Sequence, residues 1–193
     1  MSTQAPTALP LKIDPYLRIG ISAARFNAEL VDELLAGCVR RLNQLGVADH
    51  QIEIVRVPGA FELPVTARAF ANSGRYAAII CLGAVVRGDT PHFDFVAGEC
   101  ARGLQAVATN TGLPVIFGVL TTNTQQQALD RVGGSHGHAG ERAAEAAVEM
   151  INVLHSIVTG GQNRPREENY DGGPERPSRR NRRRPRRRND SEG

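Results

Sequence analysis

In this 193-residue chain, the residues best suited to chemistry stand together in Arg87-Gly88-Asp89-Thr90-Pro91-His92-Phe93. Histidine, with an unperturbed pKa of about 6.5, can give or take a proton near neutrality. Gly88 lets the backbone turn closely, and Pro91 suits the first turn of a helix. The opening amides of such a helix lack internal partners, so an anion can settle beside Asp89 and Thr90. The stretch therefore pairs an anion seat with a proton carrier, His92. Read alone, it is also a capped strand-to-helix turn bearing a surface histidine.

Other groups fall where strands end. Phe26, between Arg25 and Asn27, either packs under a helix or stacks on a flat ligand. Asn27 reads as a helix N-cap that can also touch a ligand. In Pro58-Gly59-Ala60-Phe61-Glu62-Leu63-Pro64, Glu62 is either a solvated first-turn acid or an acceptor for ligand hydroxyls. Arg131 either complements the end of a short helix or meets an anion. His136 and His138 have no third ligand nearby, which argues against a metal. There is no GxGxxG after the first strand, no GxxxxGK[ST] and no GxSxG. What remains is acid/base chemistry without a covalent side-chain nucleophile.

Four strands must position these groups: Leu17–Ala23, Ile52–Val57, Ala77–Val86 and Pro114–Thr121. After the first, a helix places Leu30, Val31, Leu34, Leu35, Cys38, Leu42 and Leu45 on one face and stops at Gly46. A second helix follows Glu62 to about Ala71. A third repeats Phe93, Val96, Ala97, Cys100, Leu104 and Val107 and ends near Thr111-Gly112. Thr124-Gln125-Gln126-Gln127 is a capping-box pattern opening a short helix through Leu129 to Arg131. Residues 132–137 predict a flexible or tightly turned loop, and a last helix from about His138 to His155 turns Ala143, Ala146, Ala147, Met150, Val153 and Leu154 inward. Apolar strands alternating with helices predict an α/β fold, a three-layer α/β/α, flavodoxin-like arrangement around a four-stranded parallel sheet. Such sheets bind ligands outside the carboxyl ends of their strands, which adds Thr121–Asn123 to the candidates.

Composition divides the chain into an N-terminal arm (1–16), a folded domain (17–158) and an Arg-rich tail (159–193) expected to be disordered, with almost no aliphatic residue from Gly160 onward. The arm, with Pro6, Pro10 and Pro15, has at most a short extended piece around Leu11 to Ile13. Residues 160–193 hold 11 basic and 6 acidic side chains, whereas residues 1–159 hold 12 and 14, so the domain is mildly acidic and the tail basic. Such a tail suits nonspecific polyanion binding, and without aromatics among its arginines it lacks the means to stack a base. Cys38, Cys81 and Cys100 are odd in number and show no CxxC spacing, which supports neither a disulfide framework nor zinc and fits a reducing cytoplasm. No apolar run reaches the roughly 20 residues that span a bilayer, and the start lacks signal-peptide character, so a soluble protein without membrane partners is expected.

Taken in order, Arg25-Phe26-Asn27, Val57 to Pro64, Gly88 to Phe93, Phe117-Gly118-Val119-Leu120-Thr121 and Arg131 resemble the 6,7-dimethyl-8-ribityllumazine synthase family over roughly residues 15–157. The resemblance implies condensation of 5-amino-6-(D-ribitylamino)uracil with 3,4-dihydroxy-2-butanone 4-phosphate in riboflavin biosynthesis, with no metal or organic cofactor. By position, Phe26 would stack on the pyrimidine, backbone groups at Val85 and Val86 would read its edge, and Asn27 and Glu62, beside Ala60 and Phe61, would hold the ribityl chain. His92 would carry protons. Amides of Asp89 and Thr90, with Arg131, would hold the phosphate, and Phe117 and Arg131 would come from a neighbouring subunit. Pentamers, and in many members a sixty-subunit shell, are implied. The family pattern GTKxGNKGxEAA reads here Gly133-Gly134-Ser135-His136-Gly137-His138-Ala139-Gly140-Glu141-Arg142. With its lysines missing, Arg131 is left as the principal phosphate cation, unless Arg142, His136 or His138 replaces them. A noncatalytic flavin or pyrimidine-ligand scaffold served by the basic tail is the alternative.

Overall fold

Four apolar runs become one parallel sheet in the computed structural model, which describes residues 16–160. β1 (Arg18–Ala24), β2 (Ile52–Val57), β3 (Tyr76–Val86) and β4 (Val115–Thr122) lie in the order β2-β1-β3-β4. They alternate with α1 (Ala28–Gln44), α2 (Leu63–Asn72), α3 (His92–Thr111), α4 (Gln125–Leu129) and α5 (Ala139–Val158). This is the expected three-layer, flavodoxin-like α/β fold. The expected extended piece around Leu11 to Ile13 and the Arg-rich stretch of the tail lie outside the described residues.

β3 is apolar throughout because helices cover both of its faces. Ala78, Ile80, Leu82 and Ala84 join Ile19, Ile21 and Ala23 of β1 in a core with α1 and α5. Ile79 and Cys81 turn the other way, toward Leu63 and Phe70 of α2 and Cys100 and Leu104 of α3. Gly20 makes room there, since the Phe70 ring lies 3.2 Å from where a Cβ would stand. Leu34, Leu42, Leu63 and Ile80 are fully buried, and each such side chain contributes about 1.5–3 kcal/mol relative to exposure. The three cysteines are free and buried, and desolvation pushes Cys38 up to about 12 and Cys100 up to about 11, with Cys81 also raised.

Residues 132–137, expected as a flexible or tightly turned loop, are tightly turned: β5 (Val132–Gly134) and β6 (Gly137–His138) pair antiparallel, with Gly133 and Gly137 at positive φ. One expectation about the C-terminal third needs correction, since α5 is rotated from the expected face. Ala143 and Ala147 are buried as expected, but Gly140, Ala144 and Val148 join them, while Met150 and Val153 are exposed. Close approach to α1 decides its rotation, because the small residues of α5 are the ones that fit there. A Cβ on Gly140 would run into the Leu34 carbonyl of α1, and one on Gly37 would run into the His138 ring. Ion pairs Arg40–Glu141 (2.6 Å) and Arg41–Glu145 (2.8 Å) flank this contact.

Among the described residues, no helix is long and apolar enough to cross a membrane.

Candidate active site

The chain leaves β1 for α1 on one face of the sheet and leaves β3 for α3 on the other. Since β1 and β3 are neighbours, their loops diverge and open a crevice at the carboxyl ends. A cleft of about 460 Å³ lies there, within the size range of small-molecule sites. Its walls come from the loops after β1, β2 and β3.

The first two loops are tied to each other. Arg25 N donates to Val57 O (2.8 Å) and Phe26 N to Pro58 O (3.0 Å), carrying the β1–β2 ladder two residues past the strands. Phe26 consequently faces the cleft with 71% of its surface exposed, and it does not pack under a helix. Asn27 occupies the N-cap position of α1 but makes no capping bond with its side chain. It sits at φ 57, the one non-glycine residue at positive φ among those described, a conformation asparagine tolerates better than most. Its Nδ2 instead donates to the Ala84 carbonyl of β3 (2.8 Å), which orients the amide from across the sheet.

Glu62 ends a 3₁₀ turn, Ala60–Glu62, and its Oε2 accepts from Gly59 N at 2.9 Å. That bond holds the half-buried carboxylate over the loop, where it lines the cleft with buried Ala60 and exposed Phe61. Val85 and Val86 form the floor at the end of β3. The loop Gly88–Pro91 then leads to His92, the first residue of α3, which is exposed and lines the cleft together with Gly88, Thr90 and Phe93. Asp89 belongs to the same loop but does not line the cleft.

Phe117 and Arg131 also lie outside this cleft. Phe117 is 42% exposed on the edge strand β4. Arg131 follows α4, which stops at Leu129, two residues short of the expected end, and its Nη1 donates to the Gln127 carbonyl (2.7 Å). In the hairpin, Ser135 Oγ contacts His136 Nδ1 (3.1 Å), Arg142 donates to the His136 carbonyl (3.1 Å), and the His138 ring packs on Gly37. Arg142 and His138 are thus engaged away from the cleft. Among the described residues, no three metal-ligating side chains cluster.

Sequence reasoning placed Arg87 in the opening loop but gave it no role. Its backbone N donates to Thr122 O (2.9 Å). Its guanidinium grips Asp94 through two bonds (2.7 and 3.2 Å), reaches Asn123 Oδ1 (3.2 Å), and stands 4.1 Å from the centre of the Phe93 ring. Hydrogen bonding to Arg87 lowers the Asp94 pKa, and the same bond raises that of Arg87. Opposite charges seven residues apart across a turn follow no helical or strand period, so the only available signal was their shared flank on Phe93. Of Thr121–Asn123, Thr122 and Asn123 meet the site through Arg87, and none of the three lines the cleft.

Comparison with known proteins gives consistent results. The family model for 6,7-dimethyl-8-ribityllumazine synthase matches residues 16–155. A protein of that name from Edwardsiella ictaluri (strain 93-146) is 54% identical over 144 residues, covering 74% of this chain and 92% of the relative. Another of the same name, from Desulfatibacillum aliphaticivorans, is 49% identical over 140 residues, covering 72% and 90%.

Proposed function

The chain belongs to the 6,7-dimethyl-8-ribityllumazine synthase family, and on that premise we propose how its cleft carries out the family's reaction. The protein is a transferase of riboflavin biosynthesis. It condenses 5-amino-6-(D-ribitylamino)uracil with 3,4-dihydroxy-2-butanone 4-phosphate, releasing phosphate and water as the lumazine forms.

Phe26 stacks on the pyrimidine, whose polar edge meets backbone groups of Val85 and Val86. Glu62 accepts from ribityl hydroxyls with the lone pairs that its bond to Gly59 leaves over, and Asn27 adds its amide oxygen. The dihydroxybutanone phosphate places its anion on the amides of Asp89 and Thr90, at the positive end of α3. Amine attack on the ketone gives a carbinolamine, loss of water gives an imine, phosphate departs, and ring closure follows. His92, beside the anion seat, moves the protons that each stage takes up or releases. An amine and a ketone already react together, so holding them in register supplies much of the acceleration.

The observation that carries this reading is the convergence of Phe26, Glu62, Thr90 and His92 on one cleft from three separate loops. Phe117 and Arg131, which the family pattern also requires, stand outside it, so a neighbouring subunit supplies them and the working unit is an oligomer, a pentamer or a sixty-subunit shell of pentamers. Exposed Val65 and Phe95, which lie outside the cleft, support such self-association. Free, buried cysteines suit the cytoplasm, and the Arg-rich tail is assigned nonspecific polyanion binding.

Co-assembly tests the shared site. His92→Ala and Arg131→Ala, each weakly active alone, should regain lumazine synthesis when dissociated and reassembled together, because some interfaces then pair an intact His92 with an intact Arg131. Activity no higher than the average of the two variants would overturn the sharing.

A further inference from the structure

We propose that Arg87 is a positioning residue for this reaction, a clamp that ties together the two ends of the loop Gly88–Pro91 and thereby sets where the anion seat and His92 stand. The inference rests on the assignment of that loop to the phosphate and of His92 to proton transfer.

Little else restrains the loop. Arg87 N to Thr122 O marks where the sheet ends, and Asp94 N to Pro91 O (3.0 Å) marks where α3 begins. Between them Gly88, Asp89, Thr90, Pro91 and His92 are all exposed. A seat made of backbone amides attracts an anion only when the amides already converge, since a loose loop must lose its freedom at the moment of binding. The Arg87 side chain supplies that restraint. It starts at the end of β3, crosses to Asp94 and Phe93 in the first turn of α3, and touches Asn123 beyond β4. Three elements are joined by one guanidinium.

The chemistry requires arginine. Its fork matches the Asp94 carboxylate with two bonds, Nε remains for Asn123, and the flat cation lies over the Phe93 ring. Lysine's single ammonium lacks the planar fork that matches the carboxylate with two parallel bonds while Nε points elsewhere. An isolated exposed ion pair adds little, but a two-bond pair within a network is the case in which geometry counts. Arg87 does not itself line the cleft, whereas Phe93 and His92 do. Its influence on substrate therefore passes through Phe93 and the start of α3.

The test is steady-state kinetics on the assembled full-length enzyme, with each substrate varied in turn, alongside thermal unfolding. Arg87→Ala should raise KM for the dihydroxybutanone phosphate and lower kcat, each by about tenfold, with KM for the ribitylaminouracil within about twofold of wild type. Its unfolding temperature should stay close to that of wild type. Arg87→Lys, which keeps the charge and loses the fork, should resemble Arg87→Ala; full wild-type kinetics would overturn the clamp. Asp94→Asn leaves the other contacts in place and serves if Arg87→Ala fails to assemble. The clamp requires it to raise KM for the phosphate substrate several-fold. If Arg87 instead met the phosphate directly, releasing it from Asp94 would leave that KM unchanged or lower it, which would overturn the proposal. Arg131→Ala, measured alongside, separates two failures. A raised KM there with none in Arg87→Ala removes the clamp alone, whereas an unchanged KM in both removes the phosphate assignment and the clamp with it.

Discussion

The α1–α5 side of the sheet and the carboxyl edge of the same strands are constrained in different ways. On the helical side, Gly140 lets α5 meet α1 and Gly37 admits the His138 ring with no space to spare, and Arg40–Glu141 and Arg41–Glu145 close over the seam. Volume decides what is allowed there. At the edge, Phe26 and Phe61 stand open, Asn27 takes a left-handed conformation, and the loop before His92 is exposed. Direction decides there, through a few bonds such as Asn27 Nδ2 to Ala84 O, Gly59 N to Glu62 Oε2, and the Arg87 clamp. A methyl group added on one side should therefore harm folding, while an amide or imidazole removed from the other should harm turnover.

The largest expected effect falls at the edge. His92→Ala should lower kcat by about 10²-fold, the lower end of what a proton carrier supplies, with little change in unfolding temperature. A large drop in that temperature would show that the edge helps to hold the fold, and the contrast would collapse. The helical side should behave conversely. Gly140→Ala drives a Cβ into the Leu34 carbonyl and should cost about 1–3 kcal/mol in denaturant unfolding, while kcat per folded enzyme is preserved. Equal losses of stability and kcat would mean that α1 and α5 transmit strain to the cleft.

The smallest effect concerns pH. Burial, assisted by Arg40 and Arg142 and opposed by Glu141 and Glu33, lowers the pKa of His138, whose Nδ1 is buried without a partner. The unfolded chain then takes up this proton first. Stability should fall as pH drops through the unfolded value of about 6.5 and level off below the depressed folded value. Unfolding temperatures measured between pH 7 and pH 5 should decline in the wild type and decline less in His138→Asn. An identical slope in both would remove His138 as the source.

Much of the fold was legible because it is encoded locally. Apolar runs marked all four strands, Gly46 and Gly112 marked helix ends, and Thr124 indeed accepts from Gln127 N (3.2 Å), although the Gln127 side chain answers Asn123 N rather than Thr124 N. The cleft was half legible. Its loops could be located because carboxyl ends follow strands, but whether Phe26 was core or exposed depended on the bonds to Val57 and Pro58, far away in sequence. The rotation of α5 was illegible, because the contact with α1 takes small residues such as Gly140 and Ala144 and leaves the larger Met150 and Val153 exposed.

By itself, the sequence determined the alternation of strands and helices, the basic tail, the loop carrying His92 and the family pattern around it, because each is written in neighbouring residues. Only the tertiary structure decided that Asn27 answers to Ala84, 57 residues on, rather than to its own helix. It likewise assigned Arg87 to Asp94, Phe93 and Asn123 together, and left Phe117 and Arg131 outside the cleft. The reason is physical: periodicity records which face of an element is apolar, whereas the partner of a polar group depends on which strand ends the sheet order brings side by side.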